Sequence, residues 1–137
     1  MSLILEIVTP EKRAYSDTIT SVVLPSQDGE IEILDGHIPL ISVINAGEIK
    51  ITKPSGMEYL AVDKGFMQLL GSKISLITEG AIDIKDIDLN EVTEARKRAE
   101  EALKEVKKGG AEDFALMEKL EAQVRFSLAK ELTKKRH

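Results

Sequence analysis

The hydrophobic residues of this chain change their spacing once, near residue 86, and that change constrains the fold more than any other feature of the sequence. Before it, apolar and polar residues alternate with a period of two, as in Ile31-Glu32-Ile33 and Ile49-Lys50-Ile51. After it, apolar residues recur every three or four positions: Leu89, Val92, Ala95, Ala99, Leu103 and Val106. A period of two is typical of strands with one buried face, and a period of 3.6 is typical of amphipathic helices. The sequence therefore predicts a β domain over residues 1–86 and a helical domain over residues 87–137.

Turn residues interrupt the β region about every 8–12 residues, which indicates many short strands. The clearest turns are Gln27-Asp28-Gly29, Asp35-Gly36, Asn45-Ala46-Gly47, Pro54-Ser55-Gly56 and Asp63-Lys64-Gly65. Short strands at this spacing predict an antiparallel sandwich or a barrel.

The helical region divides into two helices that we expect to fold back on each other. Asp88, with Glu91 three positions later, resembles the capping box that begins a helix, and Gly109-Gly110 marks its end. A second apolar stripe follows, consisting of Phe114, Met117, Leu120, Val124, Leu128 and Leu132. Two amphipathic helices joined by a short link predict an antiparallel hairpin.

Phe126 lies on the opposite side of the second helix from that stripe. Ala115, Ala122 and Ala129 flank it at helical spacing and make a second, thinner apolar face. Either these are small surface residues without a role, or the helix packs in two ways, once in the folded chain and once against a partner.

Composition argues against several classes of function. Residues 1–85 contain seven basic and twelve acidic residues, so nucleic-acid binding by this half is not expected. The two histidines, His37 and His137, provide neither a nucleophile's base nor a metal site, and the chain has no cysteine. No apolar run approaches the roughly 20 residues of a membrane-spanning helix, so we expect no direct membrane insertion. We predict no catalytic residue, no metal and no cofactor, and interpret the chain as a binding and mechanical element.

The segment from Leu24 to Leu40 contains Gly29-Glu30, a short strand and then Gly36-His37-Ile38-Pro39-Leu40. This order resembles the signature of the epsilon-subunit family of rotary ATP synthases. The similarity continues through Ala46 to Ile51, Tyr59 to Phe66 and Ile74 to Glu79, and it ends in the helical hairpin. It covers nearly the whole chain. Glu32 and Asp35 depart from the family pattern, which often has Gly and Pro there.

The resemblance implies a ten-stranded antiparallel β-sandwich that docks on the gamma subunit and the rotor ring, followed by a regulatory two-helix hairpin. It implies a non-catalytic central-stalk subunit that couples proton-driven rotation to ATP synthesis, peripheral on the cytoplasmic face of the bacterial inner membrane. By motif position, Glu30 and His37 are the candidate contacts to gamma and the ring. In the extended state the hairpin would lie along gamma and contact the alpha/beta head, inhibiting ATP hydrolysis; Phe126, Met117, Leu120 and Val124 are the candidate contacts.

Some family members hold ATP through an Ile/Leu-Asp-x-x-Arg-Ala motif, which here reads Ile87-Asp88-Leu89-Asn90-Glu91-Val92. Asp88, Arg98 and Arg125 are the remaining candidates for nucleotide contact, but Glu91 replaces the arginine that would bind phosphate. We therefore expect weak ATP binding or none, and Asp88 also fits a plain helix cap. The alternative functions are a generic sandwich-plus-hairpin adaptor and a small nucleotide sensor.

Overall fold

The computed structural model describes residues 3–109 and 114–137. Ten strands precede two helices in this part of the chain. The strands are β1 (Leu3–Val8), β2 (Arg13–Ile19), β3 (Ser21–Ser26), β4 (Gly29–Leu34), β5 (Leu40–Ile44), β6 (Gly47–Lys53), β7 (Gly56–Val62), β8 (Gly65–Leu70), β9 (Lys73–Thr78) and β10 (Ala81–Asp83). A 3-10 turn (Ile84–Asp86) leads to α1 (Leu89–Lys108) and α2 (Phe114–Arg136). The predicted fold class is confirmed.

The strands form two layers. One layer has the order β10-β7-β6-β3, with β4 also on β3, and the other has the order β5-β8-β9-β1-β2. A single pair, Ser26 with Ile44, joins the layers, so the sheet folds over on itself there. All pairings are antiparallel except β1 with β9, which run parallel.

The core between the layers comes from the alternating residues of the strands. Leu3, Leu5 and Ile7 of β1 are almost fully buried, and Ile74 and Leu76 of β9 are buried with the same period of two. The main apolar cluster is drawn entirely from strand residues. Burial of aliphatic side chains stabilises a fold by about 1.5–3 kcal/mol each, so this domain has a core of its own.

Strand β7 breaks the alternation, because three successive residues at its end, Leu60, Ala61 and Val62, are buried. Leu60 and Val62 belong to the core between the layers, whereas Ala61 lies on the opposite side of the strand. Helix α2 packs against β6 and β7 and covers that side. The hairpin is therefore docked on the outside of the sandwich.

Helix α1 begins and ends as the sequence predicts. The Asp88 carboxylate accepts hydrogen bonds from the backbone N–H groups of Asn90 (3.0 Å) and Glu91 (3.2 Å), which satisfies two donors that the first turn leaves free. At the other end, the N–H of Gly109 donates to Glu105 O at 3.0 Å. The expected second glycine of the stop, Gly110, lies outside the described residues.

The prediction for the packing face of α2 is wrong for half of the stripe. Of the predicted stripe, Leu120 is buried and Met117 and Val124 are half-buried, whereas Phe114, Leu128 and Leu132 are exposed. The buried residues of α2 are instead Leu120, Ser127, Ala129, Glu131 and Thr133. The reason is that α2 lies between two neighbours, α1 and the sandwich, so its buried surface consists of two faces and neither follows the most apolar stripe.

Candidate functional site

The outer surface of the β5-β8-β9-β1 layer carries a row of apolar side chains. Register places Val43 beside Phe66, Phe66 beside Ile77, and Ile77 beside Val8. Phe66 is 62% exposed and Ile77 is 63% exposed. With Thr9 and Pro10 this row borders an open groove of about 570 Å³. Contiguous exposed apolar surface on a rigid sheet is typical of a protein-binding site.

Sequence reasoning missed this row because it treated one face of every strand as polar. A signal was present in the sequence, since Phe66-Met67, Leu69-Leu70 and Leu76-Ile77 are adjacent apolar pairs within strands. Strands that are apolar on both faces must be covered on both. In the described chain, however, the hairpin packs on the other layer, on β6 and β7.

The turn after β4 holds His37. Gly36 adopts a positive φ of 85°, which favours glycine, and the N–H of His37 donates to Leu34 O at 3.2 Å. The ring atom Nδ1 lies 2.8 Å from Ile38 O, and this contact orients the imidazole when Nδ1 carries its proton. Two large apolar neighbours, Ile38 (75%) and Ile41 (74%), are more exposed than any strand residue of the core. The turn therefore presents an apolar tip beside an oriented imidazole.

Glu30 and His37, the candidate partner contacts of the sequence analysis, lie at opposite ends of β4. Glu30 is the second residue of the strand, and His37 follows its last residue, Leu34. At about 3.3 Å per residue in a strand, this separation is on the order of 20 Å. Both side chains are exposed. Each residue therefore belongs to a separate part of the surface.

The docked hairpin contacts the sandwich through Arg125 and Phe126. The Nε of Arg125 donates to Oδ1 of Asp63 at 2.8 Å, and the Asp63 side chain is only 7% exposed. The ring of Phe126 lies so close to Gly80 that an added Cβ there would be 2.6 Å from it. Lys130 places its ammonium 4.3 Å from the centre of the same ring, a cation–π contact. Phe126 therefore lies on the face of α2 that packs on the sandwich, and the buried Ala129 follows about one turn later.

A second set of contacts joins α2 to α1 through Glu131, which is 4% exposed. Thr93 donates to its carboxylate at 2.7 Å, and the guanidinium of Arg96 contacts both carboxylate oxygens while also binding Glu100 at 2.8 Å. Burial by itself would raise the pKa of Glu131, but the hydrogen bonds from Arg96 and Thr93 outweigh it and lower that pKa. The carboxylate therefore stays ionised although it is buried.

The three candidate nucleotide residues are not gathered into one site. Asp88 caps α1, and Arg125 is bound to Asp63. Arg98 alone of the three lines an open cleft of about 860 Å³ between the hairpin and the sandwich, together with Phe126 and Lys130. The three cations that line this cleft, Arg98, Lys119 and Lys130, are matched by the carboxylates of Glu11, Asp63 and Glu79, so the lining has no excess of positive charge to attract phosphate.

Residues 2–84 match the family described as ATP synthase, Delta/Epsilon chain, beta-sandwich domain. The chain is 39% identical to the ATP synthase epsilon chain of Koribacter versatilis over 98 residues, which is 72% of this chain and 69% of that one. It is 36% identical to the ATP synthase epsilon chain of Staphylococcus aureus (strain JH9) over 103 residues, which is 74% of this chain and 77% of that one.

Two solved structures share the fold. A chain in the Euglena gracilis mitochondrial ATP synthase, OSCP/F1/c-ring, matches with a TM-score of 0.73 at 16% identity, over 99% of this chain and 82% of that one. A chain in the central stalk/c-ring of the Tetrahymena thermophila mitochondrial ATP synthase matches with a TM-score of 0.53 at 14% identity, over 63% of this chain and 69% of that one. In the described ranges, neither helix has an apolar stretch long enough to cross a bilayer.

Proposed function

Because this chain belongs to the family of ATP synthase epsilon chains, we propose that it acts as a non-catalytic central-stalk subunit that couples rotor rotation to ATP synthesis. In this role it binds the gamma subunit and the rotor ring, and its hairpin restrains ATP hydrolysis. It works as a peripheral protein on the cytoplasmic face of the bacterial inner membrane, where its partners supply the attachment.

The observation that carries this proposal is the apolar row of Val8, Val43, Phe66 and Ile77 on the outer sheet. A sheet layer exposed to water normally presents polar residues outward, and this one presents large apolar residues in register across four strands. We assign this row to gamma, because a rigid flat apolar surface matches a permanent subunit contact better than a transient one. Ile38 and Ile41, at the other end of β5 with His37, then meet the ring.

The two apolar faces of α2 fit a helix with two packed states. In the docked state Phe126 contacts the sandwich at Gly80 and Ala129 is buried, while Leu128 and Leu132 remain exposed. In the extended state the exposed stripe, with Met117, Leu120 and Val124, packs on gamma and the alpha/beta head. A switch of this kind requires the two packings to differ by only a few kcal/mol.

The gamma contact is tested by Phe66→Ser combined with Ile77→Ser, with Met57→Ser as the matched control. Met57 is also a large exposed residue, at 55%, but it lies on β7 outside the row. The double variant should bind gamma at least about tenfold more weakly, since losses at central apolar contacts often exceed 1 kcal/mol each. The control should bind as the parent does. Equal gamma affinity in all three proteins, with intact thermal unfolding, would refute the assignment.

The separate positions of Glu30 and His37 give a second test. Each is changed to Ala alone, and gamma binding and proton-driven ATP synthesis are both measured in reconstituted vesicles. We expect His37→Ala to reduce synthesis through the ring contact, and Glu30→Ala to act on gamma binding. Wild-type values for both variants in both measurements would remove these two residues from the contact surface.

The brake is tested by deleting residues 88–137. Hydrolysis of ATP by the reconstituted head should rise, while assembly with gamma should persist through the sandwich. Identical hydrolysis with and without the hairpin would contradict the regulatory part of the proposal and leave the coupling part standing.

A further inference from the structure

Helix α2 and the strand region on which it packs have net charges of opposite sign. The strand region, residues 1–85, has twelve acidic and seven basic residues, whereas α2 has six basic and three acidic residues. Three cations of α2 reach oxygen atoms of the β domain and its following turn. Arg125 binds Asp63 at 2.8 Å, Arg136 binds Glu48 at 3.2 Å, and Lys134 donates to Ile84 O at 3.0 Å.

Of the two ion pairs among these contacts, Arg125–Asp63 is the more shielded from water. Its side chains are 34% and 7% exposed, compared with 58% and 16% for Arg136 and Glu48. Exposed ion pairs contribute little and are screened by salt, but a charged hydrogen bond to a nearly buried carboxylate is stronger. Of the two ion pairs, the one at Asp63 is therefore expected to contribute more to holding the hairpin docked.

Asp63 and Gly80 are held together by hydrogen bonds that do not involve the hairpin. The N–H of Asp63 donates to Gly80 O at 2.9 Å, and the hydroxyl of Thr78 donates to Asp63 O at 2.7 Å. The turn after β7 and the turn after β9 are thus cross-linked by bonds within the sandwich. The sandwich therefore presents the Asp63 carboxylate next to Gly80, which has no side chain.

Adjacent residues of α2 fill both features, with Arg125 on the carboxylate and Phe126 over the glycine. We propose that Asp63 and Gly80 form a preformed receptor on the sandwich for Arg125 and Phe126, and that this contact holds the hairpin docked without any bound ligand. The regulatory consequence, control of the fraction of chains whose hairpin is released to inhibit ATP hydrolysis, rests on the function proposed above. The docking itself does not.

The test measures docking directly in the full-length chain. Because the sequence has no cysteine, spin labels can be placed at two exposed positions, Ser55→Cys and Glu121→Cys. Pulsed electron paramagnetic resonance then separates one narrow distance, from docked chains, from a broad distribution, from released chains. Asp63→Asn and Arg125→Gln should each lower the ratio of docked to released chains about tenfold or more, since a charged hydrogen bond is lost. Lys107→Gln removes the same charge from an exposed site on α1 and should leave the ratio unchanged.

Coupling between the residues gives the decisive comparison. The double variant Asp63→Asn/Arg125→Gln should release the hairpin no more than either single variant, because the same contact is lost only once. Gly80→Ala should release it in the parent chain but have no further effect in Phe126→Ala, where the ring is gone. Unchanged docking in Asp63→Asn and Arg125→Gln, or fully additive effects in both cycles, would overturn the receptor.

Variants that do not fold are recognised by loss of the sandwich's cooperative melt. If Gly80→Ala does not fold in the parent chain, the double variant Gly80→Ala/Phe126→Ala remains a test, because removing the Phe126 ring relieves the clash at position 80. Measuring ATP hydrolysis with the same variants separates the two proposals. Altered docking with unaltered hydrolysis supports the receptor and contradicts the brake, whereas unaltered docking refutes the receptor whatever hydrolysis does.

Discussion

Replacing Ala129 by Leu should release the hairpin from the sandwich. Ala129 is 6% exposed and borders the same groove as Gly47 and Glu48, at the start of β6. The leucine adds three carbon atoms where α2 lies against the sheet. Overpacking of this kind costs about 1–3 kcal/mol, and each 1.4 kcal/mol is a factor of ten. Because the cost applies only to the docked state, the ratio of released to docked chains should rise by about 5- to 140-fold.

Hydrogen exchange of the α2 amides checks this expectation. Their protection should fall in Ala129→Leu, while the amides of β1 and β9 keep theirs, because the strand core does not include this residue. Lys104→Leu is the control, since Lys104 is exposed on α1, away from the surface of α2 that packs on the sandwich. If α2 exchanges at the parent rate in Ala129→Leu, then Ala129 does not lie in the docking contact and our account of the two faces is wrong.

Three further predictions concern the domains, pH and ATP. Residues 1–86 should fold alone, because the apolar cluster uses only strand residues; a coil circular-dichroism spectrum would contradict this. The pKa of Glu131 is lowered from its ordinary value of 4.5, so the ionised carboxylate stabilises the α1–α2 contact above pH 4.5, and this stability should be lost as the pH falls further and the carboxylate becomes protonated. The melting temperature of Glu131→Gln should therefore change less than that of the parent chain from pH 6 to about pH 3. Isothermal titration should show no saturable ATP binding below about 1 mM, and Glu91→Arg should strengthen binding; micromolar affinity in the parent chain would refute our interpretation of the cleft.

Local patterns in the sequence were enough to predict the type and order of the elements. The alternation in β1 and β9 specifies which residues face the core, because side chains of a strand point to opposite sides in turn. The start of α1 was equally predictable, since the Asp88 cap depends only on residues two and three positions away. The family resemblance added the ten-stranded sandwich, which the residue pattern alone left open as a sandwich or barrel.

The packing of α2 was not predictable in the same way. Apolar periodicity selected Phe114, Leu128 and Leu132, which are exposed, and it passed over Ser127, Glu131 and Thr133, which are buried. Polar residues are buried at low cost only when partners satisfy them, and the partners of Glu131 lie 35 and 38 positions away on α1. The apolar periodicity of a helix depends on one segment of the chain, so it cannot show that α2 packs against α1 on one side and the sandwich on another.

The sequence by itself determined a strand region followed by two helices, the strand core, the cap of α1 and the family. Tertiary structure alone decided the surfaces on which the proposed function depends. Ile77 joins Val8 in the outer row across 69 positions of chain, and Asp63 meets Arg125 across 62. Those contacts follow from strand register and from the docking of α2, which depend on the whole fold, whereas periodicity and capping depend on residues within one or two turns.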